Sequence, residues 1–413
     1  MKTLYTLAAA AILGCAPPEQ VKPEIKIEVS ERQASIDAVS PLKEFLYAKY
    51  DEQFGQKRED INELETKLDK ALKAEGFSNE TIAAVKEGKP AYELKEFFAK
   101  QGLLFRSINV PGISLPISYE LLKQGTTEQK EMTLFGVTKK YTKIRILESL
   151  IDNAIAYQNK KKNANLVEHG YMYGTDMIEY RAWKHDNTAK SYFEGEKQYG
   201  KELEDEASKP KQLAEKYSEQ RLFARMGTIL HHIGVRDLAG NTFEEFQNKM
   251  KHVWERDCEI HDVMNSIDVF DFDKDAVSKL DSRNKKRLSN EYTVHLKIRA
   301  FLAQLYHSER PHDRLGDLFK ASSGEGLAYE AIAATNILNV FRMAVLTDRE
   351  RFENIDFVAG DAIYAQFCRL TIPQIKQLAL ATFKGTYKER PLKEYMEKVQ
   401  NKILNEQKKT EFY

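Results

Sequence analysis

The chain has 413 residues, enough for one large domain or two to three ordinary ones. Hydrophobic residues make up 42% and aromatics 10%, which supports a packed core and excludes wholesale disorder. Lys+Arg and Asp+Glu stand at 63 each, a balance that excludes a non-specific nucleic-acid binder, since that needs a large positive field.

In chain order, the first feature is a leader. Lys2 supplies a short positive region, Leu4 to Leu13 are apolar apart from Tyr5 and Thr6, and Ile12-Leu13-Gly14-Cys15 closes the run. The pattern is that of a secretory signal peptide. It is far shorter than the about 20 apolar residues that span a bilayer, and no later stretch approaches that length. The four-residue ending resembles the lipobox of prokaryotic membrane lipoproteins. That resemblance implies removal of residues 1–14 and acylation of Cys15, through palmitate-type chains, as the first mature residue. It also implies a body held on the outer side of a membrane, at the cell surface or the periplasmic face. Losing Lys2 with the leader leaves one more acid than base, so the mature chain stays near neutral.

Residues 15–40 read as the lipidated tether. Pro17-Pro18 and Pro23 disfavour helix, and charges dominate. Ile25-Lys26-Ile27-Glu28-Val29 alternates like a short strand.

Residues 41–140 read as an N-terminal helical subdomain with short strands. Ile61, Leu64, Leu68 and Leu72 share one helical face, and Gly76 stops that helix. Ser78-Asn79 caps a short helix ended by Gly88, and Pro90 opens a third carrying Tyr92, Leu94, Phe97 and Phe98. Then the pattern breaks. Val110-Pro111-Gly112 and Leu115-Pro116 are turn signals, and Ile108, Val110, Ile113 and Leu115 with Met132 to Phe135 suggest strands.

Residues 141–413 read as a large helical domain. Ile144, Leu147, Ile151 and Ile155 predict a helix over Tyr141 to Asn159, with Lys160-Lys161-Lys162 near its C-terminal end, where cations favour the dipole. Long helices follow at Lys211 to Ile233, Thr242 to Asn265 and Arg283 to Ser308. Glu325 to Leu346 is so apolar that it predicts burial on most sides. Thr371 with Pro373 and then Pro391 start the last two. The fold class is mainly α, a multi-helix globule with a small β element near residues 103–137. Cys258 and Cys368 sit in helix-like segments, where buried free thiols are common, and two cysteines make no disulfide framework.

The segment richest in chemistry is Glu168 to Trp183, which concentrates His169, Asp176, Glu179 and Arg181 among tyrosines and glycines. If its second half is helical, Asp176, Glu179 and Arg181 converge. Glu179 on a helix downstream of another long helix resembles the third-ligand helix of gluzincin metallopeptidases. The resemblance implies Glu148 as the water-activating base and Glu179 as the third ligand, and a divergent site there would offer His169, Asp176 and Glu179 as candidate ligands for a divalent metal. Its two zinc histidines, however, would fall on Leu147 and Ile151. Gly174 and Glu179 also match the Gly-x-His-x-x-Glu signature of imelysin-type envelope lipoproteins, with Asp176 in the histidine's place. Leu230-His231-His232-Ile233-Gly234 is similar to the Leu-His-Asp-Ile-Gly segment of HD-type phosphohydrolases, with His261-Asp262 further on.

Other acid clusters fail their tests. Asp271-x-Asp273-x-Asp275 has Ala276 and Ser282 where a calcium loop needs Gly and Glu, so a helix cap is expected there. His252, Glu255 and Glu259 share a helical face, as do Glu291 and His295, at spacings common for ordinary surface contacts.

The expectation is therefore a lipid-anchored cell-envelope protein with a non-catalytic binding or scaffold role. Its expected partners are the membrane, through the anchor that the lipobox resemblance implies, and another envelope protein, with no nucleic acid. The alternative is a degenerate metal-dependent peptidase or hydrolase around Glu148, His169 and Glu179.

Overall fold

The computed structural model describes residues 25–27, 38–108, 118–161, 170–173, 177–238, 242–325, 328–388 and 390–410. Cys15, His169, Asp176 and the turn signals from Val110 to Pro116 lie outside them. The order begins with strand β1 (Ile25–Ile27), followed by helices α1 (Val39–Gln53), α2 (Ile61–Ala74), α3 (Asn79–Lys86) and α4 (Tyr92–Ala99). Next come β2 (Leu103–Ile108), β3 (Ser118–Leu134), β4 (Val137–Ile151), α5 (Ala154–Lys161), β5 (Gly170–Tyr173) and β6 (Met177–Arg181). The rest is helical: α6 (Ala182–Ser208), α7 (Pro210–Lys216), α8 (Glu219–Val235), α9 (Phe243–Asp268), α10 (Lys274–Ser278) and α11 (Ser282–His307). It closes with α12 (Pro311–Lys320), α13 (Ala328–Thr347), α14 (Ile372–Tyr387) and α15 (Leu392–Thr410).

The fold is mainly α, and its organising element is the β3–β4 hairpin. Seventeen residues at about 3.3 Å each make β3 roughly 55 Å long. One end of the hairpin belongs to an N-terminal core, where Tyr119, Leu121 and Ile151 pack with Phe45, Leu68, Val85 and Phe98 of the first four helices. The other end belongs to the C-terminal core, where Met132, Leu134 and Tyr141 pack among α8, α9 and the later helices. The boundary placed between residues 140 and 141 thus falls inside β4, a strand that serves both units.

Strand order across the sheet is β1-β3-β4-β6-β5, with β2 also paired to β3. The alternation at Ile25-Lys26-Ile27 becomes edge strand β1, antiparallel to Thr127–Gln129. Pairing of β4 with β6 is parallel, which requires a crossover, and α5 lies within it. Phe135 and Gly136 both have positive φ, 48° and 80°, between the paired residues Leu134 and Val137. That is the two-residue turn whose twist suits a hairpin. A phenylalanine pays a steric penalty there, offset by stacking of its ring 3.6 Å from that of Phe383 and 5.6 Å from Tyr306.

Four expectations are corrected. Tyr141 to Asn159 is strand as far as Ile151, and helical only from Ala154. Both faces of β4 are covered: Tyr141 and Lys143 meet α9, while Ile144 and Ile146 cluster with Leu104 and Leu122. Covering both faces removes the in-out alternation by which a strand is recognised. The β element accordingly extends past residue 137 to include β4, β5 and β6. Lys211 to Ile233 is two helices, broken at Tyr217-Ser218, and α13 leaves Ile332 50% and Met343 41% exposed rather than burying most sides. Cys258 and Cys368 remain free thiols.

Candidate functional site

Glu148, the candidate base, is an exposed residue of β4 opposite Lys123. Glu179 lies on strand β6 in register with Ile144, not on a helix. The two positions are separated by four residues along β4, about 13 Å. Leu147, Glu148 and Ile151 lie along an extended, bulged strand, whereas the gluzincin arrangement needs all three on one helical turn. The helix pair behind that resemblance is therefore absent, and the convergence expected of Asp176, Glu179 and Arg181 on a helix is corrected to a strand at residues 177–181. Among the described residues no three His, Cys, Asp or Glu side chains converge as a metal-ligand set.

The polar side chains that do converge lie deep in the C-terminal core. Gly227, His231 and Gly234 fall on one face of α8, and Asp313, Gly316 and Asp317 on one face of α12. The glycines let these helices approach closely: a Cβ on Gly234 would sit 2.6 Å from the Asp313 nitrogen, and one on Gly316 2.9 Å from the Gly227 carbonyl. That approach brings His231 Nδ1 within 2.5 Å of Asp313 Oδ1. Trp254 of α9 donates its indole N–H to Asp313 Oδ2 at 3.2 Å, and Arg314 donates to the same oxygen. The Arg314 guanidinium also reaches Asp317 Oδ2 at 2.7 Å and Asp257 Oδ2 at 3.1 Å. Ser308 donates to Asp257 Oδ2, and Gln304 to the Asp257 carbonyl.

One guanidinium and one imidazole thus face three carboxylates, and Asp313, Asp257 and His231 are all buried. Burial pushes Asp257 up to about 7 against the pull of Arg314. Burial also opposes ionisation of Asp313, but the adjacent Arg314 and His231 override it and hold that carboxyl well below the usual range. The remainder of the segment similar to an HD-type site is likewise engaged. His232 Nδ1 meets Glu196 at 2.5 Å, and His261 Nδ1 meets Gln304 at 3.2 Å.

A second buried group ties the sheet to α9. Lys143 of β4 pairs with Glu255 and lies 3.0 Å from Glu259, which Lys130 approaches at 3.3 Å. Tyr141 donates to Glu259 as well. The shared face of Glu255 and Glu259 was visible in the sequence; the lysines that claim it were not. A third group, further along, sets Arg299 on Asp268 at 2.5 Å and over the rings of Phe383 and Tyr387.

The N-terminal unit holds a cavity of about 230 Å³ between α1, the end of α3 and β3. Leu46, Tyr50, Gln53, Val85 and Tyr119 form its walls, with Lys49, Glu52, Lys86 and Glu87 around them. The Tyr50 hydroxyl donates to the Tyr119 carbonyl and accepts from the Tyr119 N–H, which fixes both rings. Sequence reasoning did not single out these residues, because α1 and β3 are separated by over sixty positions and neither carries a motif.

A mainly helical body threaded by a long hairpin, with charged groups tied between elements and a cavity in its N-terminal unit, is the class defined by fold and site. Compared with known protein families, curated proteins and solved structures, the chain matches none.

Proposed function

We propose that this is a lipid-anchored protein of the cell envelope, held on the outer side of a membrane through Cys15, whose helical body is a non-catalytic binding or scaffold unit. One observation carries the second half of that reading. The side chains most able to do chemistry are committed to structural pairs between elements: His231 with Asp313, His232 with Glu196, and Glu255 and Glu259 with Lys143. A hairpin about 55 Å long, fastened at both ends, supports the scaffold role by setting the spacing of two helical units. The partner fitting this reading is another envelope protein. The membrane half rests on the leader, and among the described residues no helix is long and apolar enough to cross a bilayer. Cys15→Ser tests the anchor: the variant should leave the detergent-requiring membrane fraction for the soluble one. An unchanged distribution would remove the anchor from the proposal.

A further inference from the structure

Helix α13 buries Ala333, Ala334, Ile337, Leu338, Phe341 and Val345 in the C-terminal core, yet its outer side is not the polar face of an ordinary surface helix. Between Glu330 and Asp348 the sequence holds a single charge, Arg342, whose guanidinium lies over the Tyr364 ring. Tyr329, Ile332 and Met343 stand exposed, with Asn336, Asn339 and Leu346 half-buried among them. In a chain whose charged residues make up 31% of the total, this face is an exposed apolar stripe.

The spacing identifies its occupant. Tyr329, Ile332, Asn336, Asn339, Met343 and Leu346 follow one another in alternating steps of three and four, the 3.5-residue repeat of a coiled-coil seam. The order is also self-complementary. A two-fold axis crossing the helix midway between Ile337 and Leu338 exchanges Tyr329 with Leu346, Ile332 with Met343, and Asn336 with Asn339. A second α13 laid antiparallel therefore meets this one layer by layer, with large apolar side chains outside and two amide pairs at the centre. Asn339 accepts the Tyr364 hydroxyl at 2.7 Å, which leaves its NH2 to donate to Asn336 of the second copy. The Tyr329 ring is held in place by its hydroxyl on Asn290 Oδ1 at 3.0 Å. Beside the seam Ala328 comes opposite Arg342, and Thr335 opposite itself, so no like charges meet. The antiparallel sense also sets the positive end of each helix dipole beside the negative end of the other.

We propose that the outer face of α13 pairs two copies of this chain, antiparallel and in this register. At about 1.5 Å per residue the seam is about 26 Å long and about 10 Å wide, a footprint of roughly 260 Å². Stable interfaces bury about 800 Å² per partner, so this dimer is a weak one, with a dissociation constant of roughly 10 to 500 µM. The pairing goes beyond the binding or scaffold reading and is independent of the lipid anchor.

Sedimentation equilibrium of the full chain carrying Cys15→Ser, which takes the anchor out of the measurement, should show a monomer–dimer equilibrium in that range. Ile332→Glu and Met343→Lys, each alone, should weaken it at least about tenfold, because each places two unpaired charges in the seam. Both positions are exposed in the single chain, so the thermal melt of the monomer should not move, which separates lost pairing from lost folding. Mixed in equal amounts, the two variants should associate within about threefold of the unsubstituted seam. In the antiparallel register the new carboxylate faces the new ammonium, while the unaltered Met343 faces the unaltered Ile332. A parallel pair sets each position against itself and gives no such rescue. A monomer at about 0.5 mM, a dimer indifferent to both substitutions, or a mixture that stays dissociated would overturn the proposal. Flotation of the Cys15→Ser chain with phosphatidylcholine vesicles, lost in Ile332→Glu and found in place of self-association, would assign the face to a lipid surface and overturn it as well.

Discussion

Asp257→Asn tests the buried cluster where its electrostatics are most constrained. Asp257 is 1% exposed and shares Arg314 with Asp313 and Asp317. Its folded value of about 7 lies above the roughly 3.9 of an unfolded aspartate. Between those two values the folded state holds a proton that the unfolded state has lost, so stability falls as pH rises through the window and levels off above it. Linkage puts this fall at about 2.5 kcal/mol between pH 5 and pH 8. Asparagine cannot ionise but keeps an oxygen for the Ser308 hydroxyl. Buried His261, His295 and His307, pushed down by burial to about 3, 4 and 4, destabilise the fold as pH drops below their unfolded value, and Asp268, raised by burial to about 6, does the opposite. These contributions are common to both proteins and cancel in the difference. Urea unfolding followed by tryptophan fluorescence, with Trp254 beside the cluster, should show the variant gaining about 2.5 kcal/mol on wild type from pH 5 to pH 8. A difference that is flat with pH, or that moves toward wild type, would refute the electrostatic reasoning.

Three further outcomes separate the ties that hold the fold. Gly234→Ala should destabilise, because its Cβ would meet the Asp313 backbone at 2.6 Å and overpacking of about 1–3 kcal/mol exceeds the gain in helix propensity. Gly195→Ala, with nothing within 4 Å of its Cβ, should stabilise by up to about 1 kcal/mol, and paired thermal melts read the opposite signs. A double-mutant cycle on Lys143 and Glu259, 5% and 4% exposed, should give a coupling above about 1 kcal/mol. The same cycle on exposed Lys67 and Glu63 should give about 0.5 kcal/mol or less. Phe135→Asn should relieve about 1 kcal/mol of turn strain but lose about 2 kcal/mol of stacking and burial on Phe383, for a net loss near 1 kcal/mol in chemical denaturation.

Local signals were legible in the sequence and long-range pairing was not. Ser78 and Thr371 accept hydrogen bonds from the first turns of their helices, and the Thr371–Gln374 capping box forms in full. Asp273 caps α10, as the failed calcium loop suggested. Helices α9 and α11 begin and end within a few residues of their expected limits. The hairpin was hidden for a physical reason. Ile144, Leu147 and Ile151 fall by coincidence at helical spacing, both faces of β4 are covered, and Phe135-Gly136 lacks the Asn or Asp that usually announces such a turn.

The buried cluster was half legible. His231 stood out, but its partner Asp313 lies 82 residues away and became recognisable only once the close crossing of α8 and α12 joined them. A stronger sequence signal was available in the spacing of Gly227 and Gly234, seven residues apart with His231 between them. Small residues repeating on one helical face mark a close neighbour, and the polar residue among them must find its partner on that neighbour.

An envelope anchor is tested most directly by mass spectrometry of the N-terminal peptide of the protein extracted from membranes. The expected peptide begins at Cys15, lacks residues 1–14 and carries the added mass of acyl chains. A peptide containing an unmodified Cys15, from a protein that remains soluble without detergent, would contradict the anchor and the outer-membrane-face placement that depends on it.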